Sequence, residues 1–320
     1  RAGLATPDAR IAWTPLSGGV SSDIWRVDTG GRTFCIKCAL PRLKTEQPWH
    51  APVGRNAYEW AWINFATRHC PDNVPKPIAH DPGQGIFAME FLDPTLYPNW
   101  KRLLLDGHID PSVAAAMGTL VARLHAASAG DNAIAAAFPT DAIFDAIRLA
   151  PYLIATADRH PDVGGRLREL ASRTALTKVA LVHGDVSPKN VLVGPGGPVL
   201  LDAECAWFGD PAFDVAFCLN HFLLKCAARP ARRQALYACF DKFADAYFAG
   251  VAWEPRGAID ARVATLLPAL SLARVDGKSP VEYLDDDDRR SIRKIVRPLL
   301  VDPPACVDAV RTRWQLALPG

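Results

Sequence analysis

The chain has 320 residues, of which 49% are hydrophobic and 22% charged, and its 36 basic and 34 acidic residues leave a formal net charge of +2. This composition excludes a largely disordered chain, and the balanced charge gives no field that would attract nucleic acid or an anionic membrane surface. The length favours two domains, because one compact domain usually has roughly 100–200 residues.

Eight cysteines are spread along the chain, which is not the spacing of a disulfide framework. Cys35 and Cys38 have the C-x-x-C form, but no second pair follows at zinc spacing and they fall in a strand-like run. No run of about 18 apolar residues is present, and residues 1–10 lack the apolar core of a signal peptide. The sequence therefore predicts a reduced, cytoplasmic protein with no membrane partner and leaves its oligomeric state open.

Residues 11–38 have the pattern of hairpin strands, because short apolar segments alternate with Gly-rich breaks. Apolar residues at helical spacing then predict a helix over residues 55–69, and residues 86–89 predict another strand before Asp93 and Pro94. The first part of the chain is therefore predicted to be β-rich with one helix.

Helical patterns dominate from residue 100 onward. Asp110 is predicted to cap a helix with Pro111 at its first position. Further helices are predicted over residues 144–152, 166–171, 213–226 and 289–300, with short strands over residues 180–182, 191–193 and 199–201. A small β-rich lobe followed by a larger helical lobe would leave a cleft between them, which is a usual place for a ligand.

The most informative stretch covers residues 181–204, where a strand leads into a polar loop, a hairpin and an acidic strand end. The loop carries Asp185 and, five positions later, Asn190, while Asp202 follows the next hairpin. Hard oxygen ligands of this kind suit magnesium, which usually binds one or two carboxylates together with substrate phosphates. Capping of turns would explain Asp185, Asn190 or Asp202 taken singly. It would not explain why all three occur in this order with strands on both sides.

This stretch resembles the catalytic loop and metal motif of the aminoglycoside phosphotransferase and choline kinase-like superfamily. The resemblance implies that Asp185 orients the attacking hydroxyl and accepts its proton, while Asn190 and Asp202 hold the magnesium ions that bridge the ATP phosphates. His183 and Gly184 complete the motif.

The same resemblance implies an α+β, bilobal protein-kinase-like fold. Residues 1–92 would form a small β-rich ATP-binding lobe, and residues 93–320 a larger helical lobe for catalysis and substrate binding, with a hinge near residues 90–94. Eukaryotic-type protein kinases carry Arg where Gly184 stands and have a longer activation segment than the stretch from Asp202 to Asp214. A peptide substrate is therefore disfavoured.

Glu204 lies two residues after Asp202, so strand alternation would aim both carboxylates to the same side and Glu204 could also bind metal. This Asp-x-Glu form resembles the methylthioribose kinase branch, although a solvated or Arg-paired Glu204 is the alternative. Asp210, before Pro211, fits a helix cap. Asp214 matches the Asp that bonds the backbone of the catalytic loop in the relatives, which is structural support.

The first lobe has features that fit ATP by the same resemblance. A loop over residues 16–23 could cover phosphates with backbone N–H and hydroxyl groups, although an ordinary hairpin turn is the alternative. Its candidate nucleotide-binding residues are Ser17, Gly18, Gly19 and Ser21.

Lys37 ends a predicted strand, where kinase-like folds place the Lys that neutralises the α- and β-phosphates. Glu59, on the predicted helix, is its expected partner, and Glu46 is the competing candidate. The resemblance also implies that the backbone C=O of Glu90 and N–H of Leu92 bond adenine.

Two polar patches interrupt the helices that would wall an acceptor pocket. The candidate substrate-binding residues are Asp145, Arg148, Tyr152, Arg274, Asp276 and Lys278. Helix-end ion pairs are the alternative, but a mixture of donors and acceptors favours a hydroxylated metabolite with a carboxylate or sugar ring over a polycation. His125 is expected to be a core histidine, and His221 shares a helix face with Asp214.

The predicted function is transfer of the ATP γ-phosphoryl group, with Mg²⁺, to a hydroxyl of a small-molecule metabolite. Aminoglycoside phosphorylation is one alternative. It is disfavoured because those enzymes use acidic pockets and an acidic, aromatic C-terminal end, whereas the candidate substrate-binding residues of this chain include basic ones. A non-catalytic nucleotide-binding regulator is another. It is disfavoured because the full catalytic set is present, namely Lys37, Glu59, Asp185, Asn190 and Asp202.

Overall fold

A computed structural model describes residues 3–6, 8–16, 19, 21–44 and 49–318. Its N-terminal part contains a five-stranded antiparallel sheet with the order β1-β2-β3-β5-β4. The strands are β1 (Ala12–Pro15), β2 (Ser22–Asp28), β3 (Thr33–Ala39), β4 (Pro77–Asp81) and β5 (Ile86–Glu90). Helix α1 (Arg55–His69) packs against β3, β4 and β5. The predicted β-rich start with one helix is confirmed, and β4 is an additional strand.

Side chains of β3 alternate between the two faces of this sheet. Phe34 and Ile36 pack on the outer face, where they join an apolar cluster with Val27 and Ala88. Lys37 is therefore directed to the opposite face, which carries α1.

The rest of the described chain is mainly helical. Its helices are α2 (Trp100–Asp106), α3 (Pro111–Ala126), α4 (Asn132–Ala137), α5 (Asp141–Phe144), α6 (Ala155–Arg159), α7 (Pro161–Leu176), α8 (Ala212–Ala228), α9 (Arg233–Ala249), α10 (Arg256–Asp276), α11 (Asp286–Val301) and α12 (Val307–Ala317). Two short strand pairs interrupt them: β6 (Ala180–Val182) with β9 (Trp207–Gly209), and β7 (Val191–Gly194) with β8 (Gly197–Leu200).

Helix α8 forms the centre of this helical part, since it packs against α9, α10 and α11. Its residues 212–227 are all buried. A helix that is apolar nearly all round is buried on every side, and the few polar side chains of α8 are therefore buried with it.

Local signals set the starts of two helices, and the start of α3 is as predicted. Asp110 caps α3 by accepting a hydrogen bond from the Ser112 N–H at 2.8 Å, with Pro111 in the first turn. The acidic run at residues 285–288 begins α11, where Asp285 and Asp288 form a reciprocal capping box.

The segment predicted as an ordinary helix over residues 144–152 is different. Residues Asp145–Ile154 form a π-helix between α5 and α6. Pro151, inside it, has no N–H to donate, so a regular α-helical hydrogen bond is missing there. Such wide turns are rare and frequently occur at functional sites.

The sheet and α1 precede residue 91, and α2 to α12 follow residue 99. A lobe boundary between residues 92 and 93 stays a prediction.

Within the described ranges no helix is long and apolar enough to cross a membrane. All eight cysteines belong to these ranges and are free thiols.

Candidate active site

The loop between β6 and β7 is held by one carboxylate from α8. Asp214 accepts hydrogen bonds from the backbone N–H of His183 at 2.7 Å and of Gly184 at 2.8 Å. His125 of α3 places Nε2 3.2 Å from the same carboxylate, and its Nδ1 lies 2.9 Å from the Tyr247 hydroxyl. All these side chains are buried, so α3, α8 and α9 together fix the loop.

The ring of His183 orders the loop from within. Its Nδ1 accepts a hydrogen bond from the Asp185 N–H at 3.1 Å, so the ring proton is on Nε2, which donates to the Leu201 carbonyl at 3.1 Å. Burial lowers the pKa of His183, which favours this neutral form. His183 therefore connects the loop to the end of β8.

Gly184 occupies a position that only glycine fits without strain. Its φ is 79°, and a Cβ there would lie 2.6 Å from the carbonyl oxygen of Cys205. The loop and the segment after Asp202 can therefore approach closely.

Asp185 projects from this loop and is nearly buried, with 4% of its surface exposed. Its Oδ2 lies 2.8 Å from Nη2 of Arg148 and 3.3 Å from Nζ of Lys189. Burial raises the pKa of Asp185, but the charges of Lys189 and Arg148 outweigh it and hold the pKa well below its usual range. The carboxylate is therefore ionised and held in a fixed orientation.

Arg148 was predicted as a substrate contact, and the structure places it on Asp185. It comes from the π-helix and also donates to the carbonyls of Gly184 and, at 2.6 Å, Ile147. Lys189, four residues after Asp185, was not singled out in the sequence. The sequence feature that could have identified Lys189 was its basic side chain inside the polar loop.

Asn190 and Asp202 lie beside Asp185. Nδ2 of Asn190 donates to the Asp185 carbonyl at 3.1 Å, while its Oδ1 accepts no hydrogen bond from any described residue. Asp202 has a φ of 69°, in the left-handed region that non-glycine residues seldom adopt. This conformation points its carboxylate at Lys37.

Lys37 contacts carboxylates from two directions. Its Nζ lies 2.6 Å from Oε1 of Glu59 on α1, and it also donates to Asp202. Lys37 and Glu59 are each 2% exposed. Burial raises the pKa of Glu59 to about 7, against the opposing charge of Lys37. Glu46, the competing partner in the sequence, lies outside the described residues.

Glu204 is paired with Arg55, a residue that the sequence did not single out. Nε of Arg55 lies 2.9 Å from Oε2 of Glu204, and its Nη2 donates to the carbonyls of Ser21 at 2.5 Å and Leu40 at 2.8 Å. The alternative of an Arg-paired Glu204 therefore describes the geometry, and metal binding by Glu204 stays a prediction. The available signal was a positive charge in the first turn of α1, where the helix dipole disfavours it.

The other nucleotide candidates are placed only in part. Ser17 and Gly18 lie outside the described residues. At Gly19 a Cβ would lie 2.4 Å from the Ser22 carbonyl oxygen, so the backbone folds tightly there. The carbonyl of Ser21 accepts the N–H of Leu40 at 2.9 Å.

Glu90 and Leu92 belong to the connection toward the helical part. Glu90 is the last residue of β5, and its side chain accepts a hydrogen bond from the Lys76 N–H at 3.3 Å. Leu92 lies in the connection that leads to α2. Adenine binding by their backbones stays a prediction.

The structure brings three of the six acceptor candidates together near Asp185. The guanidinium groups of Arg148 and Arg274 lie 5.6 Å and 5.7 Å from the centroid of the Tyr152 ring. Nη1 of Arg274 lies 3.3 Å from the Tyr152 hydroxyl.

The other three are placed differently. Asp276 forms ion pairs with Arg293 at 2.6 Å and His160 at 2.8 Å, the arrangement that the alternative of helix-end ion pairs describes. Asp145 and Lys278 are exposed.

Within the described residues no cluster of three or more His, Cys, Asp or Glu could hold a metal ion by itself. Asn190 and Asp202 supply oxygen atoms that could hold magnesium only if other ligands complete the shell, which is how this ion usually binds in sites for nucleotide phosphates.

Comparison with known proteins places this geometry in context. The family model described as "Phosphotransferase enzyme family" matches residues 12–277. The methylthioribose kinase of Cronobacter sakazakii is 22% identical over 258 residues, which are 72% of this chain and 64% of that protein. The methylthioribose kinase of Pectobacterium carotovorum is 22% identical over 256 residues, which are 71% of this chain and 64% of that protein. The chain thus spans just under two thirds of the length of these relatives.

Solved structures show the same fold at low identity. A choline/ethanolamine kinase family protein from Mesorhizobium loti matches with a TM-score of 0.55 and 17% identity, over 96% of this chain and 92% of that one. An amicoumacin kinase, solved in complex with AMP-PNP and Ca²⁺, matches with a TM-score of 0.56 and 14% identity, over 94% of this chain and 90% of that one. The predicted kinase-like α+β fold is confirmed.

Proposed function

Because the chain belongs to the phosphotransferase enzyme family, as its catalytic-loop motif predicted, we propose that it transfers the γ-phosphoryl group of ATP to a hydroxyl of a small molecule. The observation that carries this proposal is the placement of Asp185. Its carboxylate is kept ionised by Lys189 and Arg148, on a loop that also presents Asn190. The curated relatives, named as methylthioribose kinases, support a small-molecule acceptor.

Lys37 is the residue that we propose for the ATP phosphates. It is buried between Glu59 and Asp202, so its ammonium is fixed at the junction of the sheet with the segment that follows β8. Neutralising phosphate charge at such a place is a major part of phosphoryl-transfer catalysis. Ser17, Gly18, Gly19 and Ser21, with the backbones of Glu90 and Leu92, complete the proposed nucleotide contacts.

Asn190 and Asp202 would hold magnesium. The fit rests on two oxygen atoms of this chain. Oδ1 of Asn190 and Oδ2 of Asp202 accept no hydrogen bond from the described residues, because Lys37 binds the other oxygen of Asp202. Magnesium bound there would neutralise charge on the transferred group. Glu204 has its Oε2 on Arg55, so any metal contact would use Oε1.

Asp185 would orient the acceptor hydroxyl and take its proton. The hydroxyl oxygen forms a bond to the γ-phosphorus, the bond from that phosphorus to the β–γ bridging oxygen breaks, and ADP leaves with its electron pair. Arg148 and Lys189 lower the pKa of Asp185, so the group is a weak base that accepts the proton late. This agrees with a loose transition state in which positioning matters more than basicity.

The remaining parts of the proposal are the lobe boundary near residues 92–93 and a reduced, cytoplasmic setting, consistent with eight free thiols.

The test is acceptor-dependent ADP formation. Purified protein is incubated with Mg·ATP and a panel of hydroxylated metabolites, alongside aminoglycosides such as kanamycin. Acceptor-stimulated ADP release and a phosphorylated product would support the proposal, whereas efficient turnover of polycations alone would favour antibiotic phosphorylation. No acceptor-dependent turnover, with equal zero ATP hydrolysis in the wild type and Asp185→Asn, would favour a nucleotide-binding regulator.

A further inference from the structure

Lys225 is a buried cation that forms no ion pair with an acidic side chain among the described residues. It belongs to α8 and is 1% exposed. Its Nζ donates a hydrogen bond to the His221 carbonyl at 3.5 Å and lies over the face of the Tyr283 ring, 4.8 Å from the centroid. A buried ammonium without a carboxylate partner is unfavourable, so its presence in the protein interior needs an explanation.

Two neighbouring polar atoms also have no hydrogen-bond partner among the described residues. The hydroxyl of Tyr283 and Nε of Arg274 are buried and make no hydrogen bond within the described residues. The same Arg274 is kept in place through Nη1, which donates to Oγ of Ser279 at 2.9 Å. Lys225, Arg274 and Tyr283 are therefore three hydrogen-bond donors that are each at least partly unused.

A continuous row of side chains joins this cluster to the catalytic loop. Asp214, Phe217, His221 and Lys225 lie at spacings of three and four residues, hence on one face of α8. Phe217 has its ring centroid 5.7 Å from that of Tyr152 and 5.5 Å from that of His221.

Electrostatic proximity supports the same placement. Burial lowers the pKa of His221 well below its usual range, and the charges of Lys225, Arg274 and Asp185 all act on it. Lys225, Arg274 and Asp185 therefore all lie near His221.

The balance of charge in this region is positive. Arg148 is matched by Asp185, and Glu282 is matched by Lys101. Neither Lys225 nor Arg274 has a carboxylate within ion-pair distance in the described part of the chain. An anion is the ligand that this arrangement would bind most strongly.

We propose, building on the function proposed above, that the acceptor carries an acidic group, a carboxylate or a phosphate, which binds Lys225 and Arg274 and accepts a hydrogen bond from Tyr283. Its hydroxyl would then reach Asp185 from the side of Tyr152. Burial, followed by the charge of Lys101, lowers the pKa of Lys225 to about 7, and a bound anion would offset both effects.

The test compares acceptors of different charge with Mg·ATP at saturation. The probes are D-glycerate and D-gluconate as carboxylates, D-ribose 5-phosphate as a phosphate, D-ribose as a neutral sugar and choline as a cation. We expect turnover of an acidic member, and Lys225→Met should raise its KM by about tenfold or more. Preference for D-glycerate or D-gluconate would identify the acidic group as a carboxylate. Preference for D-ribose 5-phosphate would identify it as a phosphate.

Three variants separate binding from folding. Lys225→Met should leave the melting temperature unchanged or higher, because it removes a buried unpaired charge. Tyr283→Phe removes only a hydroxyl and should raise KM severalfold, which keeps the test valid if the first variant does not fold. Lys242→Met, at an exposed position of α9, is the matched control and should leave KM unchanged.

The outcomes are distinct from those of the proposed function. If only neutral or cationic probes are phosphorylated, or if Lys225→Met leaves KM unchanged, this inference is overturned while the kinase proposal stands. Thermal-shift titration with the acidic probes in the absence of ATP measures the site without turnover. Stabilisation of the wild type but not of Lys225→Met supports the anion site, and equal or absent responses in both proteins overturn it.

Discussion

Nε of Arg55 and Oε2 of Glu204 are 2.9 Å apart in a buried ion pair that joins the first turn of α1 to the segment after Asp202. Arg55 is completely buried and also binds the carbonyls of Ser21 and Leu40. Arg55 therefore fixes the backbone at Ser21 and Leu40 relative to the segment that carries Glu204.

The ion pair with Arg55 predicts a structural role for Glu204. Comparison of variants at Glu204 and Asp202 distinguishes this role from metal binding. Glu204→Gln leaves the Arg55 charge unpaired, so we expect the free energy of unfolding to fall by roughly 3 kcal/mol. Asp202→Asn should have the opposite profile. Its stability should change less, because Lys37 keeps its ion pair with Glu59, and the Mg²⁺ concentration needed for half-maximal activity should rise strongly. Urea denaturation and magnesium titration of both variants measure this. A larger magnesium effect in Glu204→Gln than in Asp202→Asn would assign Glu204 to the metal instead.

Asp214 should be needed for the geometry of the catalytic loop. In Asp214→Asn an amide N–H₂ group would replace one of the two oxygens that accept the N–H groups of His183 and Gly184. We expect a loss of about 2–3 kcal/mol in unfolding free energy together with a lower kcat. Asp245→Asn, at an exposed position of α9, is the control. Full activity and stability in Asp214→Asn would show that the loop keeps its shape without this carboxylate.

Gly184 should not tolerate a side chain. Its φ of 79° and the Cys205 carbonyl, 2.6 Å from an added Cβ, predict that Gly184→Ala loses about 2 kcal/mol or more of unfolding free energy. Gly165→Ala is the matched control, because its Cβ would meet no atom within 4 Å and alanine favours the helix. The melting temperatures should move in opposite directions, and equal shifts would contradict this.

Lys225 gives stability a specific pH dependence. Its pKa in the folded protein is about 7 against an ordinary value of 10.5, so between these values the unfolded chain holds a proton that the folded protein lacks. The free energy of unfolding contributed by this group therefore rises with pH across that interval, and below pH 7 the full desolvation penalty remains. The charged or titratable groups near Lys225 include Lys101, Cys218, His221, Arg274, Glu282 and Tyr283.

The measurement is urea denaturation of the wild type and Lys225→Met at several pH values from 6.5 to 9.5. The variant should be more stable near neutral pH, and the difference should narrow as pH rises. Parallel stability profiles would mean that Lys225 keeps an ordinary pKa.

Local order in the sequence was enough to predict that Asp185, Asn190 and Asp202 lie close together. Asp185, Asn190 and Asp202 belong to one stretch of strand, loop and hairpin, so their proximity follows from short-range folding. Lys37 was predicted from the resemblance to kinase-like folds, and alternation on β3 explains why it faces α1.

Contacts between distant segments could not be predicted. Arg55 and Glu204 are 149 residues apart, and no local pattern pairs them. Arg148 reaches Asp185 from a π-helix that sequence periodicity does not distinguish from an α-helix. Lys225 is buried only because three other helices surround α8, which depends on the packing of the whole helical part.

Replacement of Asp185 by Asn tests most directly whether this site transfers phosphoryl groups. The variant keeps the shape of the side chain but removes the negative charge that pairs with Arg148 and Lys189. Transfer from γ-labelled ATP to the acceptor identified by the panel should fall by about 10²-fold or more, while nucleotide affinity, measured by isothermal titration in parallel, changes by no more than about twofold. Transfer at a near-wild-type rate in Asp185→Asn would contradict the assignment of Asp185 and with it the proposed mechanism.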